Sequence, residues 1–244
     1  RDPGRGRGES ERGTPVELVK APAFFATARE REAIRQRRLS HDPVARDQIG
    51  QGPTKPLWSH NPIFQEWRFC KVHREHDKTT EWFRVNIREQ VPESWVIPAT
   101  IAFRWFNRIE TGERLLPLLL HGWKSDLAKE LLRGVSPVLT SAYMIKSPEG
   151  MTKVDGLCKC IDTAIALCYA GSWQEKWKNA GSLEAAHSDL LSVPFLGPFL
   201  AYELVSDLRW TPVLWGSVDI NTWASPGPGC TRGINRALTG DPAK

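Results

Sequence analysis

Residues 190–208, LLSVPFLGPFLAYELVSDL, carry two apolar helical patterns on either side of Leu196-Gly197-Pro198. Pro198 suits the first position of a second helix, where its missing N–H costs nothing. Upstream, SLEAAHSDLLSV begins with Ser182 as an N-cap. Ala185 at the third helical position rules out a capping box, and Glu184 sits in the first turn, where the helix dipole favours a carboxylate. Two helices around so tight a turn bare the amide groups that open the second helix. Such amides, with the dipole behind them, hold a phosphate without reading sequence. Downstream, Ser217-Val218-Asp219-Ile220-Asn221-Thr222-Trp223 places Asp219 22 residues after Gly197.

Outward from this hairpin the chain reads as helices. Residues 22–39, 153–170 and 182–193 carry apolar points at helical spacing, as do TIAFRWFNRI after Pro98, ERLLPLLLHGW and KSDLAKELLRG. Residues 40–61 read as a loop, and VLTSAYMIKSPEG as a loop or a short extended piece. No alternating strand of any length occurs, so the fold class expected is all-α. Residues 1–20 form a Gly/Arg-rich, flexible basic tail on this reading, and residues 21–244 a single helical domain.

The stretch EWRFCKVHREHDKTTEWF, residues 66–83, predicts one long central helix from about 62 to 90, opened by Asn61-Pro62 and stopped before Pro92. Ile63, Trp67 and Cys70 share a stripe that continues as Arg74, Asp77, Lys78 and Glu81. Phe69, Val72 and Phe83 form a second stripe opposite. Two apolar faces imply burial on both sides, with a charged patch where core gives way to a cleft.

At 244 residues, 41% of them apolar and 25% charged, the chain is globular, with room for one large domain or two small ones. A net charge of +5 permits a polyanionic partner without demanding one. Eleven tryptophans supply anchors or stacking surfaces. No apolar run reaches the roughly 18 residues of a membrane span, and the N-terminus lacks a signal-peptide core. The five cysteines include no C-x-x-C pair, so reduced thiols and a cytoplasmic protein are expected. His73 and Asp77 have the spacing for a shared metal but no evident third ligand. Neither metal nor cofactor is expected.

Two resemblances add to this reading. Over about residues 182–225 the chain is similar to helix-hairpin-helix DNA glycosylases, in which an Asp at this distance from the hairpin does the chemistry. Gly197 and Asp219 match that pair. Phe195 stands where the family carries a glycine, and Phe199 where bifunctional members carry a nucleophilic lysine. Without an amine there is no Schiff base, so the resemblance implies a monofunctional enzyme. A second resemblance runs through Trp58, Asn61-Pro62-Ile63, residues 67–78 (WRFCKVHREHDK), residues 141–145 (SAYMI) and residues 227–233 (GPGCTRG). These strings resemble the alpha-glutamyl/putrescinyl thymine pyrophosphorylase family, also described as the helical domain of 5-hydroxymethyluracil DNA kinases. Asn61, Lys71 and His76 depart from its pattern. The family includes phage enzymes of thymine hypermodification and bacterial anti-phage glycosylases of hypermodified bases.

The expectation is therefore a helix-hairpin-helix glycosylase-like monomer acting on double-stranded DNA with modified bases, such as glucosylated hydroxymethylcytosine. Asp219 is the candidate catalytic residue. Trp58, Arg74, Glu75, Asp77, Tyr143, Asn221 and Trp223 are candidates for the base pocket. Arg68, Lys71, Lys153, Gly197, Phe199 and Arg232 are candidates for DNA contact. Each has a structural alternative: Asp219 as the cap of a short helix at 221–223, Arg74–Asp77 as a buried ion pair, the aromatics as core. A transferase that installs an amine on an activated hydroxymethylpyrimidine, and a non-catalytic DNA-binding module, are the competing functions.

Overall fold

A computed structural model describes residues 21–47 and 55–241; the basic tail expected at 1–20 lies outside the described residues. In chain order the elements are α1 (Ala21–Ser40), β1 (Ala45–Asp47), β2 (Lys55–Leu57), α2 (Pro62–Glu66), α3 (Lys78–Phe83), α4 (Glu93–Phe106), α5 (Ile109–His121), α6 (Ser125–Leu131), α7 (Lys153–Ala170), α8 (Trp173–Ala180), α9 (Leu183–Leu191), α10 (Pro198–Leu208) and α11 (Pro228–Thr239). The fold is all-α apart from β1 and β2, a three-residue antiparallel pairing of Ala45 with Leu57 inside the expected loop. Among the described residues no helix is long and apolar enough to cross a membrane.

The described residues group by their contacts into two compact units, one of residues 73–225 and one of those up to 72 with those from 226 on. In the larger unit α4 is the central helix. Everything from Val96 to Phe106 is buried, and its faces pack on α10, α7 and α5. Pro98, expected before the helix, lies inside it; α4 begins five residues earlier, at Glu93. Phe103 stacks on Phe83 (ring centroids 5.1 Å) and on Trp82 (5.4 Å). Helix α8 was not expected. Trp173 and Trp177 stack there at 5.1 Å and are buried. In the smaller unit α1 carries exposed Phe24 and Phe25. Cys158, Cys160 and Cys168 are buried on α7, whereas Cys70 and Cys230 are exposed.

The helix expected over 62–90 is corrected. Helix α2 ends at Glu66, and Trp67 is already extended (φ −101°, ψ 146°). A single 3-10 turn spans Arg74–His76. Helix α3 then starts afresh from Asp77, whose carboxylate accepts from the amides of Thr79 (3.0 Å) and Thr80 (3.1 Å). It runs on into a π-helical turn, Arg84–Arg88, that buries Ile87 and Arg88. The two opposed apolar stripes were the warning: Ile63, Trp67 and Phe69 are exposed, so no core exists to hold a helix from both sides.

Candidate functional site

The hairpin forms as expected. Helix α9 opens at Ser182, whose hydroxyl accepts from the Ala185 amide at 3.2 Å. A tight turn follows, pinned by buried Val193 and Leu196. Gly197 caps α10, and Pro198 fills its first position. Phe195, in the place of the expected glycine, adopts a left-handed backbone with φ +66°. A phenylalanine there costs about 1–2 kcal/mol, so the turn keeps the shape a glycine would allow. The amides of Phe199 and Leu200 fall in the first turn of α10, where no intrahelical acceptor exists.

Beside the turn lies a cleft of about 380 Å³, walled by Phe195, Leu196 and Phe199 and by Tyr143–Lys146 of the preceding loop. Tyr143 meets Phe199 edge to face, with ring centroids 4.8 Å apart. Lys153, at the start of α7, donates to the Ile145 carbonyl (2.5 Å) and the Ser147 hydroxyl (3.3 Å), so it ties down that loop.

Asp219 stands at the other end of α9. Its carboxylate accepts from the amides of Leu183 (2.8 Å) and Glu184 (3.0 Å) and from the Ser182 hydroxyl (3.0 Å). It therefore caps α9, not the turn at 221–223. To that turn it lends only its backbone carbonyl, which accepts from Thr222 and Trp223. Partial burial would raise the Asp219 carboxyl, but the three donors outweigh it and hold the group below the usual carboxylate range. The nine residues of α9, about 13 Å of helix at 1.5 Å per residue, separate this cap from the turn that leads to α10. Trp223 is half-buried against His187 (5.2 Å) and Tyr202 (5.9 Å). Exposed Asn221 lines a second cleft, of about 340 Å³, with Arg209, Trp210 and Trp215.

The charged patch is a network, and most of it was not foreseen. Asp207 on α10 is wholly buried. Arg104 of α4 donates to it through Nε (2.5 Å) and Nη2 (2.9 Å), and Arg74 donates through Nε (3.2 Å) and Nη2 (3.1 Å). Arg74 also reaches Glu203, one turn earlier, at 2.7 Å, and the Tyr143 hydroxyl donates to the same carboxylate oxygen. Burial would raise the Asp207 carboxyl; the two guanidiniums outweigh this and lower it. Burial, then the Glu203 charge, pushes the Tyr143 hydroxyl well above its ordinary value, so it stays a donor. Glu75 is taken up by Arg88 at 2.5 Å, and Asp77 by its capping role. Arg74 is thus a partly buried ion-pair residue, but its partners lie on α10. The readable signal for Glu203 and Asp207 was two carboxylates at i, i+4 in an otherwise apolar helix, and for Arg104 one cation inside TIAFRWF.

Of the expected site residues, the larger unit brings Arg74 and Tyr143 together through Glu203, with Gly197 and Phe199 beside Tyr143. Asp219 lies at the far end of α9, Trp223 packs on His187 midway along it, and Asn221 lines the separate cleft with Arg209, Trp210 and Trp215. Trp58, Arg68, Lys71 and Arg232 belong to the smaller unit. There Arg38 lies over the Trp58 ring at 5.9 Å, Arg68 and Lys71 line a cleft, and Arg232 is exposed on α11. Among the described residues no group of three His, Cys, Asp or Glu side chains gathers as a metal site.

The model of the family described as "5-hmdU DNA kinase, helical domain" matches residues 20–243. The chain belongs to that family. The 5-hmdU DNA kinase helical domain therefore accounts for nearly the whole chain, from the start of α1 to the end of α11, and covers the described residues of both compact units. The family's description ties this helical domain to enzymes that act on a modified base in DNA. No curated protein and no solved structure matches the chain.

Proposed function

We propose that this helical domain binds DNA carrying a hypermodified pyrimidine and excises that base as a monofunctional glycosylase, in defence against phages whose DNA is so modified. The observation that carries this reading is α9 itself. Just past its hairpin end the start of α10 offers the amides of Phe199 and Leu200 to a phosphate, and at its other end α9 is capped by a carboxylate that accepts from three donors. A phosphate gripped by the amides of Phe199 and Leu200 would leave the target nucleotide a few steps along the strand, toward Asp219.

The target must leave the stack, at a cost of a few kcal/mol. As the glycosidic bond breaks, positive charge grows on the sugar, and a fixed anion stabilises it. Asp219 serves as that anion. Its depressed titration suits electrostatic stabilisation better than proton abstraction. Water adds at the sugar carbon, the base departs with the bonding pair and takes up the proton that the water loses, and an abasic site remains. Phe199 offers no amine, so the backbone is not nicked. Tyr143 presents a polar hydroxyl beside Phe199 to a substituent on the base.

The test incubates the protein with DNA containing glucosylated hydroxymethylcytosine, hydroxymethyluracil-derived or plain bases, followed by alkali. Strand breaks in one modified DNA only, only after alkali, and lost in Asp219→Asn are expected. Because Asp219 caps α9, Ser182→Ala serves as a control that weakens the same cap but keeps the carboxylate. Activity lost equally in both variants, or no breaks in any DNA, sinks the reading.

The family description favours a second reading, group transfer onto a hydroxymethylpyrimidine. It leaves the glycosidic bond intact and adds mass to the nucleoside when an amine is supplied.

A further inference from the structure

Within the smaller unit, α1 and residues 64–72 enclose a cleft of about 530 Å³. Its charge is one-sided. Arg31, Arg35, Arg38, Arg68 and Lys71 line it against a single carboxylate, Glu32, and Arg35 engages that carboxylate with two nitrogens (2.7 and 2.9 Å). Arg31, Arg38, Arg68 and Lys71 make no ion pair among the described residues. Arg31 Nε is buried with no hydrogen-bond partner, while its guanidinium lies 5.6 Å from the centre of the Phe69 ring. A donor left without a protein acceptor is costly, and among the described residues no protein acceptor neutralises the Arg31 guanidinium.

The same cleft carries aromatic faces. Phe64 and Phe69 pack edge to face at 5.2 Å. Trp67, 63% exposed, stacks on no ring among the described residues. An indole held open to solvent among cations is the combination that takes an unstacked base with its phosphates on either side. In a duplex the base faces are already stacked and unavailable.

We propose that this cleft binds a single, unpaired strand of DNA, with Trp67 stacked on one base and Arg31, Arg68 and Lys71 on the phosphates. The proposal takes from the functional reading only that the polyanion is DNA. It assigns Trp67 a role that no motif suggested, and it makes unpaired DNA a ligand in its own right.

The test is fluorescence anisotropy with a labelled oligo-dT, a plain duplex and an oligo-U of equal length, across a salt series. Trp67→Ala should weaken oligo-dT binding about 5- to 100-fold and affect the duplex far less. Trp67→Phe, which keeps a stacking face, should recover most of that loss. Arg31→Gln should flatten the logarithmic salt slope for oligo-dT by about 0.7. Unchanged oligo-dT affinity in both Trp67→Ala and Arg31→Gln overturns the proposal. So does an equal loss on the duplex, or tighter binding of oligo-U than of oligo-dT. None of these oligomers carries a modified base, so failure here leaves the alkali-break assay to judge excision by itself.

Discussion

Asp207 has no contact with water, and two guanidiniums compensate its charge. A buried pair adds little net stability over apolar side chains, but removal of one partner strands the other. Arg104→Met should therefore cost about 3–5 kcal/mol in urea unfolding, far more than loss of an exposed pair such as Lys129–Asp126. The carboxyl's depressed titration fixes the sign of the pH effect. The stabilisation is fully present above the unfolded-state value near pH 4 and disappears as pH falls through the lower folded-state value. The urea midpoint should drop between pH 6 and pH 3, and Asp207→Asn should flatten that drop. The same direction at Asp219 predicts that the proposed excision keeps its ionised carboxylate well below neutrality. An activity profile with an acid limb near pH 6 would contradict it.

Among the elements, α7, α9 and α10 were legible because capping and periodicity agreed: Ser182 caps α9 and Pro198 opens α10, both as read. Residues 62–90 were not. Spacing alone continues the stripe from Trp67 to Arg74, but Arg74 is drawn to carboxylates on α10, far along the chain, and Asp77 prefers the amides of its own next turn. Helix α8 went unread because it is short and its N-cap, Ser172, is left-handed (φ +46°) rather than extended. The site was half legible for a related reason. Gly197, Phe199 and Asp219 sit in motifs, whereas Arg104, Glu203 and Asp207 are single charges inside apolar helices whose pairing exists only after packing. Close packing also sets a sharp limit on α5. A methyl group on Gly112 would lie 2.6–2.8 Å from the Trp82 and Phe103 rings. Gly112→Ala should lower stability by about 1–3 kcal/mol, measured by thermal melting.

At the scale of the whole molecule the chain crosses between its two units twice, at residues 72–73 and 225–226. The larger unit carries the hairpin, Asp219 and the arginine–carboxylate network. The smaller carries the basic cleft and the exposed end of the GPGCTRG string on α11. The +5 charge thus has a local meaning: among the described residues, four of the five cations in that cleft have no acidic partner.

The distribution of thiols makes the units experimentally separable. Burial pushes the Cys158 and Cys168 thiols up to about 12 and also raises Cys160, and all three sit inside the larger unit. Cys70 and Cys230 are open to solvent, both in the smaller one, and Cys70 lines the basic cleft itself. A maleimide dye at neutral pH should therefore attach twice per folded chain and leave the larger unit dark, with five attachments only after denaturation. A Cys230→Ser chain would then carry one dye at the cleft, on an attachment point that the fold supplies without an introduced cysteine.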